Sequence, residues 1–114
     1  MVEIREFPSG YKAVWLFVLF DIPVTTRIEK KRYAVFRKSL LREGFAQLQF
    51  SVYARYFPSE AACEPERTRI AREIPLDSHV RLLRITDRQF GKMESFFGRK
   101  RVPIEDRPDQ LLLF

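Results

Sequence analysis

Cysteine is all but absent from this chain. A lone Cys63 can form neither an intramolecular disulfide nor a cysteine metal cluster, which fits a reducing, cytoplasmic setting. Histidine is equally scarce, with His79 alone, and that excludes an HxxxH-type centre. The four glycines are scattered, so there is no glycine-rich phosphate loop, and neither a nucleophile elbow nor a CxxC pair occurs. No apolar run approaches the roughly 18 to 20 residues of a membrane span. The opening MVEIREFPSG carries acids and lacks a signal-peptide apolar region, so export is not expected. Internal repeats and low-complexity tracts are also missing.

What remains is a soluble globular composition. With 114 residues, 46% hydrophobic and 32% charged, the chain is one domain with a single core. Lysine and arginine number 21 against 15 acids, a net charge of +6 and a pI near 9.8. Such a surplus favours anionic partners, of which nucleic acid is the commonest. It is concentrated: between Val24 and Gly44 seven Lys/Arg face two Glu.

The alternation of residue types sets out the elements. Residues 1–10 form a polar lead-in ending in the turn signal PSG. A strand rich in Val, Phe and Trp runs from about Lys12 to Phe20. Then TTRIEKKRYAVFRKSLLREG reads as a helix, with Thr26 and Glu29 as a capping box and Gly44 as the stop. Tyr33, Phe36 and Leu40 share its apolar face, while Arg27, Lys31, Lys38 and Arg42 share another. FAQLQFSVYARYF alternates Leu48, Phe50, Val52 and Ala54 against Gln47, Gln49, Ser51 and Tyr53. It is either one bent strand or two strands joined by a turn at Phe50–Ser51, and the row holding Ser51 and Tyr53 faces outward, toward solvent or a nucleotide. Ser59 caps a second helix reaching about Glu73, weakened by Pro65, with Cys63, Ile70 and Ile74 inward. HVRLLRIT is a strand, DRQFGKMESFFG a turn or short helix, and GRKRVPIEDRPD a flexible charged connector. QLLLF, Gln110 to Phe114, closes the chain.

This order, β-α-β(β)-α-β and a late strand, predicts an α+β ferredoxin-like sandwich with both helices on one face of an antiparallel sheet. The lead-in (1–10), the sandwich (11–97) and a basic connector with a sheet-edge strand (98–114) are its three parts. The first strand is apolar on both sides: Val14, Leu16, Val18 and Phe20 on one, Trp15, Phe17 and Leu19 on the other. A strand apolar on both faces must bury both. Two helices cover one, and the simplest cover for the second is another copy about a two-fold axis. QLLLF at a free end would fray unless it paired with a sheet edge.

Asp21 ends the first strand, and parity places it with Trp15, Phe17 and Leu19. Two readings are open. DIP before a helix is good turn chemistry, since Asp tolerates turns and Pro fixes φ. Alternatively, two Asp21 carboxylates approach across the two-fold, repel, and are reconciled by a cation. Mg²⁺, with Mn²⁺ as its substitute, accepts one or two carboxylates and keeps its waters, which predicts a metal-dependent nuclease site shared by two subunits. No second acid accompanies Asp21. His79 opens a strand and reads as an edge residue, and Cys63 as core filler. For phosphate contact the candidates are Arg27, Lys30, Lys31, Lys38 and Arg42, the first three near a helix N-terminus. A second cluster is Arg99, Lys100 and Arg101 in the connector.

The apolar strand ending in FDIP, the basic helix RIEKKRYAVFRKSLLREGF, LQFSVYARYF and HVRLLRITDRQFGKM together resemble the Cas-two family of small CRISPR-associated proteins. The resemblance runs from about Ala13 to Met93, and QLLLF is similar to the C-terminal strand of some members. It implies a ferredoxin-like homodimer working in spacer acquisition, bridging dimers of the CRISPR integrase and holding the duplex DNA to be inserted. It also implies a Mg²⁺-dependent endonuclease, acting on single-stranded RNA or on DNA, with Asp21 as metal ligand. Phe20 stands where many members carry tyrosine. Two rival expectations stand beside this one. A toxin-like messenger-RNA endonuclease of related fold would need no integrase. A small-molecule regulatory domain would hold its ligand at a subunit interface.

Overall fold

The computed structural model of the chain describes residues 12–107. The lead-in and QLLLF therefore lie outside the described residues. Strand β1 (Val14–Asp21) is followed by helix α1 (Arg27–Arg42), the hairpin β2 (Ala46–Gln49) and β3 (Val52–Phe57), helix α2 (Glu60–Arg72) and β4 (His79–Thr86). A short helix α3 (Asp87–Gly91) and a second hairpin, β5 (Ser95–Phe97) and β6 (Lys100–Val102), complete it. The main sheet has the order β2-β3-β1-β4, with every neighbouring pair antiparallel. This is the expected ferredoxin-like arrangement.

The local chemistry explains the boundaries. Thr26 Oγ1 accepts from the Glu29 backbone N–H at 3.1 Å, and Glu29 Oε1 accepts in return from the Thr26 N–H at 3.0 Å. This capping box satisfies helix-end donors that would otherwise lack partners. At the other end Gly44 takes φ +89°, a conformation that glycine adopts without a Cβ clash. The Phe45 N–H then donates to Leu40 O at 3.0 Å and the Gly44 N–H to Leu41 O at 3.1 Å, a Schellman closure. Ser59 caps α2 by accepting from the Ala62 N–H. Helix α2 runs through Pro65, whose missing N–H is offset by the burial of Cys63 and Ile70 on the same helix. FAQLQFSVYARYF resolves into two strands, with the turn at Phe50–Ser51 and Ser51 at φ 63°.

Two apolar layers enclose the sheet. On the helix side Val14, Leu16, Val18 and Phe20 pack against Phe36 and Leu40 of α1 and against Cys63 and Ile70 of α2. Tyr53 belongs to this layer and is 0% exposed, which corrects the expectation that it faces outward. Both parities of β3 are buried, so alternation could not say which row met solvent. Trp15 and Ala54 head the other layer together with Phe90 of α3, with Phe17, Leu48, Tyr56, Ile85, Met93 and Ile104 packed around them. Trp15 stacks on Phe90 with centroids 3.9 Å apart and planes 9° from parallel. Its indole N–H donates to Asp87 Oδ1 at 2.8 Å, and Arg107 donates to Asp87 Oδ2 at 3.0 Å. Part of the cover expected from a second copy thus comes from the chain itself. Arg99, Lys100 and Arg101 lie at the turn and on β6 of a hairpin, not on a featureless connector. Three-residue strands leave little periodicity to read.

Candidate metal and nucleic-acid site

Asp21 is the last residue of the central strand. Pairing of β1 with β3 stops at Leu19↔Val52, whereas pairing with β4 continues through Phe20↔Val80 to Asp21↔His79. Beyond Leu19 the Phe20 N–H is taken by Ser51 O at 3.1 Å. The buried Ile22 then anchors the chain as it leaves the sheet. Asp21 therefore projects at a corner, exposed and flanked on one side by β4 and on the other by the end of the β2–β3 hairpin. Residues directly opposite in an antiparallel pair share a face. Asp21 accordingly stands on the Trp15–Phe17–Leu19 side, as parity predicted, beside His79 and diagonal to Arg81, the partner of Leu19.

Among the described residues no group of three or more His, Cys, Asp or Glu side chains could hold a metal ion. One protomer nevertheless offers an exposed carboxylate next to an exposed imidazole. That set fits a hydrated divalent ion, which needs one or two protein ligands and fills its remaining positions with water. Arg81, exposed on the same face, adds a cation able to meet a phosphate. Arg81 was absent from the sequence-derived set and His79 was set aside there. The odd-numbered parity of HVRLLRIT, His79, Arg81, Leu83 and Ile85, would have shown both, once β4 was known to pair with β1 in this register.

The basic candidates separate into two groups. Arg27, Lys30, Lys31, Lys38 and Arg42 are all exposed on α1, which covers the helix side of the sheet, the face opposite Asp21. Arg42 is shared loosely with Glu43 at 3.8 Å. The N-terminus of α1 also holds Glu29, whose carboxyl is kept below its ordinary pKa first by the Thr26 backbone N–H. A carboxylate already occupies the anion-favouring end of that helix, so the row of side chains, rather than the helix end, is the basic feature. Exposed Ile28 and Val35 interrupt this row and border an open groove of about 500 Å³ reaching Leu76. Arg99, Lys100 and Arg101 are exposed on the second hairpin, which lies over the Asp21 face, since Phe96 and Met93 line a cleft with Phe17 and Leu48. Arg101 is 3.8 Å from Glu94. The structure thus brings the hairpin cluster to the side of the sheet that carries Asp21, and leaves the α1 row on the other.

The family model described as CRISPR associated protein Cas2 matches residues 14–93, the span from the first strand to the end of α3 and just beyond. The chain belongs to the Cas2 family. Among its curated relatives, the CRISPR-associated endoribonuclease Cas2 of Flavobacterium psychrophilum is 41% identical over 106 residues, covering 93% of this chain and 92% of that protein. The protein of the same name from Parvibaculum lavamentivorans is 42% identical over 101 residues, 89% of this chain and 100% of the relative. A solved structure described as the crystal structure of cas2 has a TM-score of 0.55 at 22% identity, over 82% of this chain and 97% of that one. At that identity the likeness bears on the Cas2 fold alone, and it agrees with the sandwich described above. No helix among the described residues of this Cas2 chain is long and apolar enough to cross a membrane.

Proposed function

We propose that this Cas2 protein is a homodimeric adaptor of CRISPR adaptation. In this reading it binds duplex DNA, bridges integrase dimers, and carries a metal-dependent phosphodiesterase site at paired Asp21 residues. The observation that carries the reading is the display of Asp21: an exposed carboxylate beside exposed His79 and Arg81, at the corner of the sheet face whose other end is the apolar layer around Trp15.

Asp21 would hold Mg²⁺ or Mn²⁺, and a cation bound there would supply Lewis-acid polarisation of a phosphoryl oxygen and a water of lowered pKa. The chain's own part is positional. Arg81 would orient the scissile phosphate through its guanidinium, and Leu19 and Leu83 beside it keep the floor of the site apolar. Arg99, Lys100 and Arg101 would grip the backbone of the nucleic acid on the same face, while Arg27, Lys30, Lys31, Lys38 and Arg42 would bind phosphates of a duplex passing the helix side. A two-fold repeats each cluster. The relatives' name, endoribonuclease, favours a second reading in which cleavage of single-stranded RNA is itself an activity of the paired Asp21 site.

The test uses wild type and Asp21→Asn with end-labelled duplex DNA and single-stranded RNA, each in EDTA and in Mg²⁺, with binding and cleavage read from the same samples. We expect any cleavage to require both Mg²⁺ and Asp21, and duplex affinity to change by less than about three-fold in the variant, because Asp21 makes no favourable phosphate contact. Cleavage that persists in Asp21→Asn would remove the site assignment. A large loss of duplex binding would break the separation of grip from chemistry.

A further inference from the structure

We infer that His79 is a second donor of the Asp21 metal site, so that the site has a mixed nitrogen and oxygen character and prefers Mn²⁺ to Mg²⁺. The inference rests on the reading of Asp21 as a metal ligand and goes beyond it in naming the second ligand and the class of ion.

The argument begins with register. Asp21↔His79 is the last rung of the β1–β4 ladder. Directly opposed residues have Cβ atoms about 4.5 to 5.5 Å apart, a spacing from which a carboxylate oxygen and an imidazole nitrogen can converge on one ion. Both side chains are exposed, so neither must leave a packed environment to do so. Among the described residues β4 is an edge strand of the sheet, and His79 at its start is exposed, with room for coordinated water. In the turn that precedes it Asp77 adopts φ 62°, and Ser78 Oγ donates to Leu76 O in a long bond of 3.4 Å. β4 begins at His79, opposite the residue that ends β1. Arg81, two residues on and on the same face, supplies no lone pair and cannot compete as a ligand.

The donor set decides the ion. Oxygen-only sites suit Mg²⁺, whereas imidazole raises affinity for first-row transition ions. Adding one nitrogen to one carboxylate therefore shifts preference toward Mn²⁺, and further toward Zn²⁺, without a change of fold.

The experiment takes advantage of His79 being the only histidine in the chain. Full-length protein without a histidine tag is titrated with Mn²⁺, and free aquo-Mn²⁺ is read by electron paramagnetic resonance. The bound ion is then probed for ¹⁴N modulation of the electron spin echo, which in this chain can report an imidazole only from His79. Wild type, His79→Gln and Asp21→Asn are compared, with Mg²⁺ affinity taken from competition. The expected result is ¹⁴N modulation in wild type and its loss in His79→Gln. That loss should come with roughly ten-fold weaker Mn²⁺ binding and a smaller change for Mg²⁺. Circular dichroism and a melting curve confirm that each variant is folded. Binding of Mn²⁺ that depends on Asp21 but shows no ¹⁴N modulation, or is unchanged in His79→Gln, would overturn the inference and leave Asp21 as a ligand. No Asp21-dependent binding of either ion would overturn both.

Discussion

Tyr53 shows how a single residue can resist both reading and rationalisation. Its hydroxyl is buried and finds no hydrogen-bond partner among the described residues, while its ring stacks on Phe20 at 5.6 Å. An unsatisfied buried hydroxyl costs about 1 to 3 kcal/mol. Tyr53→Phe should therefore leave stability unchanged or raise it by up to about 1 kcal/mol, seen as an equal or higher Tm. A clear loss of stability would show that an ordered water or an unseen partner satisfies the hydroxyl. Phe20 bears on the same point. It faces the helix side with Tyr33 and Phe36, so a tyrosine at that position would place its hydroxyl in the core layer rather than beside Asp21. Asp21 itself was legible from strand parity. Tyr53 was not, because alternation marks which residues share a face and not which face is wet.

At the scale of elements, one polar network ties the two long helices together. Ser39 of α1, itself buried, donates to Glu73 at 2.7 Å. Arg69 of α2 donates to Glu73 at 2.9 Å and to Ser39 at 3.0 Å. Partial burial raises the Glu73 pKa, but the bonds from Ser39 and Arg69 prevail and hold it below the ordinary carboxylate value. A carboxyl whose folded pKa is depressed contributes stability above its unfolded pKa, and that contribution fades as pH falls through the folded value. Glu73→Gln should thus be less stable than wild type at pH 7 by up to about 1 kcal/mol, a figure reduced by the partial exposure of the group. The gap should close on acidification below about pH 4, near the reference carboxylate pKa. Denaturant midpoints measured at several pH values test this. A gap independent of pH would show that Gln loses packing rather than charge. The helices themselves were plain in the sequence, because caps and the 3.6-residue stripe are local. This network was not, because it joins residues 34 apart through a crossing that only the packed layers define. The β5–β6 hairpin escaped for another reason: its pairing depends on Gly98 at φ 65°, and three-residue strands carry almost no alternation.

For the whole molecule the question is what completes the second sheet face. The doubly apolar β1 correctly required two covers. The chain supplies part of the second through α3, the short hairpin and the Trp15–Asp87–Arg107 contacts. That cover is set over the Trp15 end of β1. Farther along the same face Leu83, opposite Phe17, is 50% exposed, and on the hairpin Phe97 is 83% exposed. Large apolar groups grouped on one face are the signature of an interface, and a self-complementary patch closes most simply about a two-fold. A stable dimer buries roughly 1,200 to 2,000 Å² in all, and burying the remaining exposed half of Leu83 in each subunit contributes about 1 kcal/mol. Leu83→Lys places a charge in that patch without touching the helix-side core, so it should leave a folded monomer where the wild type sediments at twice the 13.6 kDa chain mass. The same variant separates two origins of metal affinity. If each site draws a carboxylate from both protomers, Leu83→Lys should weaken Mn²⁺ binding together with dimerisation. If Asp21 and His79 of one protomer suffice, affinity per chain should survive in the monomer. A wild type that remains monomeric at high micromolar concentration would sink the paired-carboxylate site altogether, and any metal would then be held by one copy alone.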